Sequence, residues 1–470
     1  MTLKEVFKNE AFGLTKRLIK RDFSGYTGLA IKNSAYAFLT NAVSKIGSLL
    51  FVALLIGSSI LTKFFSLFSI EIKPLLTPEL FGLYSLSLST IMILAGFSDL
   101  GIGSALVRYI SKYDLNSKGY ILYLAKIKII LTSISALVLI SVAYFISSYY
   151  DKPIFLALLA GSAYIVSASL VSLISGFFQA ENNFKILFYR ELIFQTIRLI
   201  IVPIAIIYSL AHFSKFTLFF IFLSLSICYF LTLLFLKLNL NKYEGKNLSK
   251  KQKKEVLHFL LPLSITALSG TFFVYMDMIM LGKFVDPSYI AYYQAAFIIL
   301  NSGIVLISFS SVLFPIFSRL KGVRLLTGLK KSILVTLPIS LLGIIFTYFV
   351  SSLLINAIYN PTYLPAVKIL QTLSILLLID PIISIYSSFF ISKGKTYFVA
   401  KVLIISTLVN IALNYFFITN LLHYGQYPAL FGAVIATILS RIVYLGMFVY
   451  KGTKKEVSTR ESVITADKGV

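Results

Sequence analysis

The residues most able to do chemistry are charges that lie inside long apolar runs. Lys45, Arg198 and Arg441 are each central in such a run, and Asp277 and Asp380 lie inside two others. A charge at that depth of a membrane is costly, so it normally lines a cavity or has a partner of opposite charge. Cations that share a cavity would bind an anion such as a phosphate or diphosphate. Two interpretations therefore stand side by side, a substrate cavity and buried structural pairs.

Further charges lie nearer the ends of the apolar runs. Lys126, Lys128 and Lys368 are close enough to an interface to extend their ammonium groups towards water, which is the interpretation we favour for them. Lys368 would otherwise add to the cationic cavity. Asp99 lies near a helix end, where it could be solvated. The six deep cations outnumber the three deep acids, Asp99, Asp277 and Asp380, and this excess favours an anion-binding cavity.

The composition predicts that these charges lie in a membrane. Of 470 residues, 58% are hydrophobic and 13% are charged, whereas about a quarter of the residues of a soluble domain are charged. A spanning helix needs about 20 mainly apolar residues, and segments of that length recur along the chain. The predicted helices are 34–57, 82–106, 121–147, 154–179, 187–209, 216–238, 256–282, 290–317, 332–355, 364–392, 396–418 and 428–450.

The distribution of Lys and Arg predicts the orientation. If the N-terminus is cytoplasmic, 32 of the 43 Lys and Arg fall in inward segments, and the outward segments hold only Lys63, Lys73, Lys152, Lys215 and Lys283. This asymmetry follows the positive-inside rule and predicts cytoplasmic termini and an even number of helices. The net charge of +25 is thus explained by topology, and we expect no nucleic-acid partner.

The chain is predicted to consist of two halves of six helices. Residues 78–84 (PELFGLY) and 287–293 (PSYIAYY) share a proline, a small residue and a tyrosine in the same places, 209 residues apart. A repeat of six helices relates the halves by an axis along the membrane normal. The predicted units are a basic amphipathic N-terminus (1–33), a bundle (34–238), a cytoplasmic basic linker (239–255), a second bundle (256–450) and a cytoplasmic tail (451–470).

Several strings together resemble the polysaccharide flippase family, which includes O-antigen flippases and the lipid II flippase and shares a superfamily with multidrug and toxin extrusion transporters. The strings are 78–110 (PELFGLYSLSLSTIMILAGFSDLGIGSALVRYI), 275–298 (YMDMIMLGKFVDPSYIAYYQAAFI), 409–414 (VNIALN) and 431–440 (FGAVIATILS). The resemblance runs from about residue 34 to residue 450 and rests on the order and spacing of degenerate motifs.

The resemblance implies an all-α polytopic fold, with two pseudo-symmetric six-helix bundles around a central cavity that opens alternately to each side. The implied substrate is a polyprenyl-diphosphate-linked oligosaccharide, moved from the cytoplasmic to the outer leaflet of the plasma (inner) membrane. Asp277, Asn410 and Arg108 match motif positions, and Asn414 lies in the same closing motif. The lipid II flippase has two further C-terminal helices beyond the twelve predicted here, so a general glycan lipid is the better expectation.

The alternative functions predict different features of the sequence. A multidrug exporter of the same fold would bind cationic drugs, which an excess of positive cavity charge disfavours. A membrane glycosyltransferase would need paired carboxylates on an outer loop, and no such pair is visible, so we do not expect an enzyme. We expect no cofactor and no resident metal, a monomer among membrane lipids, and H⁺ or Na⁺ as a possible coupling ion, held by Asp99, Asp277 or Asp380.

Overall fold

The described part of the chain is mostly helical and contains no strand. The computed structural model describes residues 25–60, 62, 74–308, 313, 317 and 322–467. Most of the predicted N-terminal segment 1–33 lies outside these residues. The helices are α1 (Gly25–Ile56), α2 (Pro78–Asp99), α3 (Ile102–Tyr113), α4 (Lys118–Tyr150), α5 (Phe155–Ala180), α6 (Phe184–His212), α7 (Thr217–Leu234), α8 (Lys250–Phe284), α9 (Pro287–Ile307), α10 (Gly322–Ile358), α11 (Ala366–Leu373), α12 (Leu376–Ser392), α13 (Thr396–Leu422) and α14 (Gln426–Asp467).

Twelve spanning units can be counted among the described residues. Ten helical stretches are long and apolar enough to cross a membrane, and an eleventh appears if the bent pair α11 and α12 forms one span. One of the ten, Pro78–Tyr150, contains both α2 and α4, which are separate helices of 22 and 33 residues. Counting these two separately gives twelve, at the positions that the sequence predicts.

Local signals set where several helices begin. Thr77 caps α2 through a 3.3 Å hydrogen bond from the Leu80 amide, and Pro78 takes the first position, where its missing N–H is harmless. Ser249 and Gln252 form a reciprocal capping box at the start of α8. This cap starts α8 at Lys250, earlier than the predicted helix start at residue 256.

The second predicted helix is broken. It was expected to run from 82 to 106, but α2 ends at Asp99 and a separate helix, α3, carries Arg108. Leu100 and Gly101 both have left-handed backbones, with φ of 42° and 77°, which a continuous helix cannot contain. A β-carbon at Gly101 would also lie 2.7 Å from that of Leu263, so glycine is needed there.

The linker between the halves is docked onto the first half. The Glu244 amide donates to the Leu115 carbonyl at 2.6 Å, and the Lys118 amide donates to the Glu244 carbonyl at 3.1 Å. The Tyr243 hydroxyl donates to Glu181 at 2.6 Å. Burial, and then the adjacent carboxylate, raise the pKa of Tyr243, so the hydroxyl keeps the proton that it donates. The basic linker is therefore an ordered part of the predicted cytoplasmic face.

Contacts between the halves close the end of the bundle that is predicted to face outward. A β-carbon at Gly82 of α2 would lie 1.7 Å from the carbonyl oxygen of Pro287, which shows how closely α2 approaches α9. Two lysines tie α4 to α8 beside this point. Lys152 donates to the Gly282 carbonyl and Lys283 donates to the Tyr149 carbonyl, both at 2.6 Å. Each ammonium thus meets a helix C-terminus of the other half, where the carbonyls carry partial negative charge.

We expect the double variant Lys152→Met/Lys283→Met to open this end more often. Losing about 1 kcal/mol of closing free energy shifts the closed-to-open ratio about fivefold. The measurement is the rate at which a membrane-impermeant maleimide labels Ser85→Cys, a buried position in α2, in a Cys228→Ser background. Lys215→Met, another outward lysine, is the control. Equal labelling rates in all three proteins would contradict the prediction.

Candidate functional site

A cavity of about 530 Å³ lies between the two halves, and it is the main candidate site. Helices α2, α4, α5 and α7 of the first half form most of its wall, and α8 of the second half completes it. The lining includes one ion pair, three tyrosines and three serines: Asp99 and Lys128; Tyr164, Tyr229 and Tyr275; Ser98, Ser169 and Ser172. A wall of this kind offers charge, hydroxyl groups and aromatic faces to a ligand.

The ion pair joins Lys128 of α4 to Asp99 at the end of α2. The lysine side chain is 2% exposed, whereas the carboxylate is 43% exposed and also accepts a 3.4 Å hydrogen bond from Ser172. Our interpretation that Lys128 extends to an interface is therefore wrong. Lys126, two residues earlier, is exposed as expected. The aspartate can leave its partner for water, but the lysine has only the cavity to face.

A second cavity of about 370 Å³ contains the other deep ion pair. The Arg441 Nε of α14 lies 3.5 Å from the Asp380 Oδ1 of α12, and both side chains are about 15% exposed. The guanidinium also lies 4.0 Å from the ring centroid of Phe273 in α8. Ser384, Ser387 and Ser388 are among the polar residues that line this cavity. Here, too, the cation has a carboxylate partner.

The remaining predicted cations are spread over the molecule. Arg198 of α6 bonds Gln195, lies 3.5 Å from Ser48 of α1, and stacks 4.4 Å from the Phe51 ring centroid. Lys45 of α1 is half-buried. Among the described residues that line the two cavities, neither of these two cations occurs.

Two other predicted cations also lie away from the cavities. Arg108 of α3 stacks 4.0 Å from the Phe259 ring centroid, and Lys368 is exposed on α11. Of the five predicted cations, Arg441 is the one found with another predicted site residue in the described lining of these two cavities.

Asp277 is at the centre of a buried polar cluster in the second half. Its Oδ1 accepts hydrogen bonds from Asn414 at 2.7 Å and Asn410 at 3.2 Å. Its Oδ2 accepts from Tyr293 at 2.6 Å and Thr437 at 2.5 Å. The carboxylate is 4% exposed and has no basic partner among the described residues. The side-chain carbonyl oxygens of both asparagines have no hydrogen-bond partner in the described chain.

The sequence model of a family described as "Polysaccharide biosynthesis protein" matches residues 52–321, more than half of the chain. The chain belongs to this family. No curated protein sequence matches it. The predicted family relationship is thereby confirmed.

Solved structures agree on the fold. The chain superposes on the lipid II flippase MurJ in an inward closed conformation with a TM-score of 0.61 at 17% identity, over 93% of each chain. An inward-facing multidrug resistance MATE family transporter gives 0.55 at 18% identity, over 91% of this chain and 96% of that one. A transporter of the same superfamily from Pyrococcus furiosus, described as having a binding pocket of reverse polarity, gives 0.57 at 17% identity, over 92% and 96%.

These findings confirm the predicted fold class, an all-helical multi-pass membrane protein with the fold of the MATE transporter and MurJ structures. The structural neighbours themselves are described as transporters and as a flippase. At this level of identity the structural neighbours establish the fold alone.

Proposed function

We propose that the protein moves a polyprenyl-diphosphate-linked oligosaccharide from the cytoplasmic to the outer leaflet by alternating access. The observation that carries the proposal is the buried ammonium of Lys128 in a cavity shared by both halves. A diphosphate group needs a cation and hydrogen-bond donors, and a sugar needs hydroxyl partners and aromatic faces. The family described for polysaccharide biosynthesis supports a glycan as the cargo.

Binding would proceed by exchange of the partner of Lys128. Asp99 is the more exposed member of the pair, so it can be hydrated while a phosphate oxygen takes its place. Ser169 and Ser172 lie on the same wall and offer hydroxyl groups. The lysine then keeps a negative partner at every stage, which avoids the cost of a buried unpaired charge. This exchange requires only that the substrate enter with its diphosphate towards α4.

The orientation and surroundings of the protein form part of the same proposal. The termini and the linker 239–255 lie in the cytoplasm, the protein is a monomer in the plasma (inner) membrane, and the two halves are the units 34–238 and 256–450. The charge asymmetry of the sequence supports this orientation. In that orientation the contacts at Gly82 and Lys152 close the outer side, as an inward-facing transporter requires.

A second candidate is a cation-coupled multidrug exporter. Tyr164, Tyr229 and Tyr275 line the central cavity, and aromatic faces attract organic cations. The described lining carries one Lys and one Asp, so its formal charge is zero rather than positive. The sequence predicted a positively charged cavity, which would repel a cationic drug. A neutral lining weakens that argument against the second candidate.

Proteoliposomes distinguish the two functions. The protein is reconstituted with a fluorescent polyprenyl-diphosphate glycan in the inner leaflet, and arrival of the label outside is followed with an impermeant quencher. A parallel sample measures uptake of a small fluorescent organic cation. Translocation of the glycan lipid without transport of the cation supports the proposal. Transport of the cation alone would assign the second candidate function.

We further propose that the cluster around Asp277 binds the coupling cation, Na⁺ or H⁺. The Asn410 and Asn414 amides now donate their NH2 groups to the carboxylate, and their carbonyl oxygens have no hydrogen-bond partner in the described chain. Rotation of the two amides would turn these oxygens towards Asp277 and give a set of hard oxygen ligands, which suits Na⁺. Asp99 and Asp380 are the weaker candidates, because each already has a basic partner. The alternative for Asp277 is a structural role in holding α8, α9, α13 and α14 together.

We expect Na⁺ to raise the thermal unfolding temperature of the purified protein, because a ligand that binds only the folded state stabilises it, by about 2.7 kcal/mol at a hundred times Kd. The comparison is NaCl against choline chloride at equal ionic strength, and Asp277→Asn should lose the difference. Asp380→Asn is the control and should keep it. If Asp277→Asn retains the full Na⁺-dependent rise in unfolding temperature, Asp277 does not bind Na⁺. Its role is then either structural or the binding of a coupling proton.

A further inference from the structure

A groove of about 730 Å³ runs along the outside of the contact between the two halves. It lies between α3 and α4 on one side and the N-terminal part of α8, residues 251–264, on the other. Its described lining is mostly aliphatic, with charged residues only from the start of α8: Leu100, Ile102, Ile127, Leu131, Lys251, Lys254, Glu255, Leu257, His258, Leu260, Leu261 and Ser264.

The groove is apolar along its length and basic at one end. Leu257 and Leu261 are 51% and 62% exposed, as expected of side chains that face lipid. Lys251 and Lys254 are exposed at the first turn of α8, and neither forms an ion pair with a described acid. Ten residues of helix separate Lys254 from Ser264, about 15 Å at 1.5 Å per residue. This arrangement matches a lipid with a phosphate at one end of an apolar chain.

The inner end of the groove adjoins the central cavity. Asp99 lines the cavity, and the next residue, Leu100, lines the groove. On α8, Ser264 lines the groove, and Ala267, one turn further along, lines the cavity. At the boundary between the two spaces the Ser264 hydroxyl lies 3.1 Å from the Leu100 carbonyl and 2.9 Å from the Leu260 carbonyl of its own helix, and can donate to either. Leu263 packs closely against Gly101 at the same boundary.

The boundary contains the most strained backbone of this region. Leu100 is a branched residue with φ of 42°, and Gly101 follows with φ of 77°. A side chain other than Asn or Asp seldom adopts this conformation, and such strain persists only where surrounding contacts hold it. The break at Leu100 and Gly101 is therefore the place where a displacement of α8 would join the groove to the cavity.

We propose that this groove is the lateral entrance for the substrate of the proposed function, and that it holds the polyprenyl chain of a lipid diphosphate. Lys251 and Lys254 attract the diphosphate at the cytoplasmic surface. The headgroup passes the Leu100–Ser264 contact to reach Lys128, while the chain stays in the groove between α4 and α8, in contact with the bilayer. The proposal rests on the proposed function, but binding to the groove can be tested without transport.

The test uses the full chain in phosphatidylcholine nanodiscs and a polyprenyl diphosphate that carries a diazirine in its chain. After irradiation, we expect labelled peptides from 257–264 and 127–131, and competition by unlabelled polyprenyl diphosphate. Lys251→Glu/Lys254→Glu should reduce the labelling at least fivefold. Lys246→Glu/Lys250→Glu changes the net charge equally at exposed positions outside the groove lining, and should leave the labelling unchanged.

Three results would contradict the proposal that this groove is the substrate entrance. They are labelling confined to other helices, equal competition by phosphatidylglycerol, and full labelling of the Lys251→Glu/Lys254→Glu variant. Equal competition would assign the groove to ordinary anionic bilayer lipid. If the groove is labelled as expected but the wild type moves no glycan lipid, the binding site stands and the proposed function fails. Leu261→Trp fills the groove from its lipid side. It should block labelling whether or not the wild type transports the glycan lipid.

Discussion

Replacing Lys128 with methionine is expected to lower glycan-lipid translocation by at least tenfold. A hydrogen bond to a charged group is worth about 1.5–3 kcal/mol, which corresponds to roughly a 10- to 150-fold loss of binding. Methionine keeps the length and the apolar stem of the lysine, so the packing of α4 should be retained. The measurement is the rate of quencher-accessible glycan lipid in proteoliposomes, normalised to the amount of folded protein.

The matched control for this substitution is Lys126→Met. Lys126 lies two residues earlier on the same helix and is exposed, so its substitution removes the same charge without touching the cavity. A slow Lys128→Met variant beside a fast Lys126→Met variant would locate the effect in the cavity. Equal rates in both variants would show that the ammonium of Lys128 does not contact the substrate.

For Asp99, the partner of Lys128, we expect a substitution to strengthen substrate binding rather than weaken it. Asp99→Asn removes the carboxylate that competes with the diphosphate, so half-saturation should occur at a several-fold lower concentration of glycan lipid. The turnover rate is expected to fall, because the product then leaves a lysine without a counter-charge. If Asp99→Asn weakens binding as much as Lys128→Met does, the two residues form a structural pair and partner exchange is wrong.

The sequence predicted which charges are deep but not which of them meet. Lys126 and Lys128 have the same neighbours in sequence, and the helix around them is apolar on all sides, so no pattern separates the buried lysine from the exposed one. The separation arises from tertiary packing, because Lys128 meets Asp99 of α2, whereas the side chain of Lys126 is exposed. Asp99 could have been a clue, since a carboxylate near the same membrane depth needs a cation.

For the polar cluster around Asp277, the sequence did select residues that lie together in the structure. Asp277, Asn410 and Asn414 were selected because they match motifs of a resembling family, and the structure places all three within hydrogen-bonding distance. Tyr293 and Thr437 were missed as members, although both lie inside the strings that carried the resemblance. Hydroxyl groups are common on membrane helices, so residue type alone does not select them. The break at Leu100 was missed for a similar reason, because Gly101 is followed by further apolar residues typical of a helix.

Arg441→Met is expected to be the most destabilising of the substitutions considered. Removing one member of a buried ion pair costs about 3–5 kcal/mol, because the other charge is left without a partner in a medium of low dielectric constant. Arg441 also stacks on Phe273, and that contact is lost as well. Thermal unfolding of the purified protein should therefore begin several degrees earlier than in the wild type, whereas Lys368→Met, which changes an exposed cation, should leave the transition unchanged.

The double variant Asp380→Asn/Arg441→Met separates the two interpretations that the deep charges left open. It removes both charges of the pair, so its stability should return most of the way to that of the wild type. If Arg441 serves only to neutralise Asp380, this stable double variant should also recover transport. If Arg441 binds the headgroup in the second cavity, the double variant should fold normally and translocate the glycan lipid at least tenfold more slowly. Recovery of both stability and transport would remove Arg441 from the substrate site and leave Lys128 as the cation that meets the diphosphate.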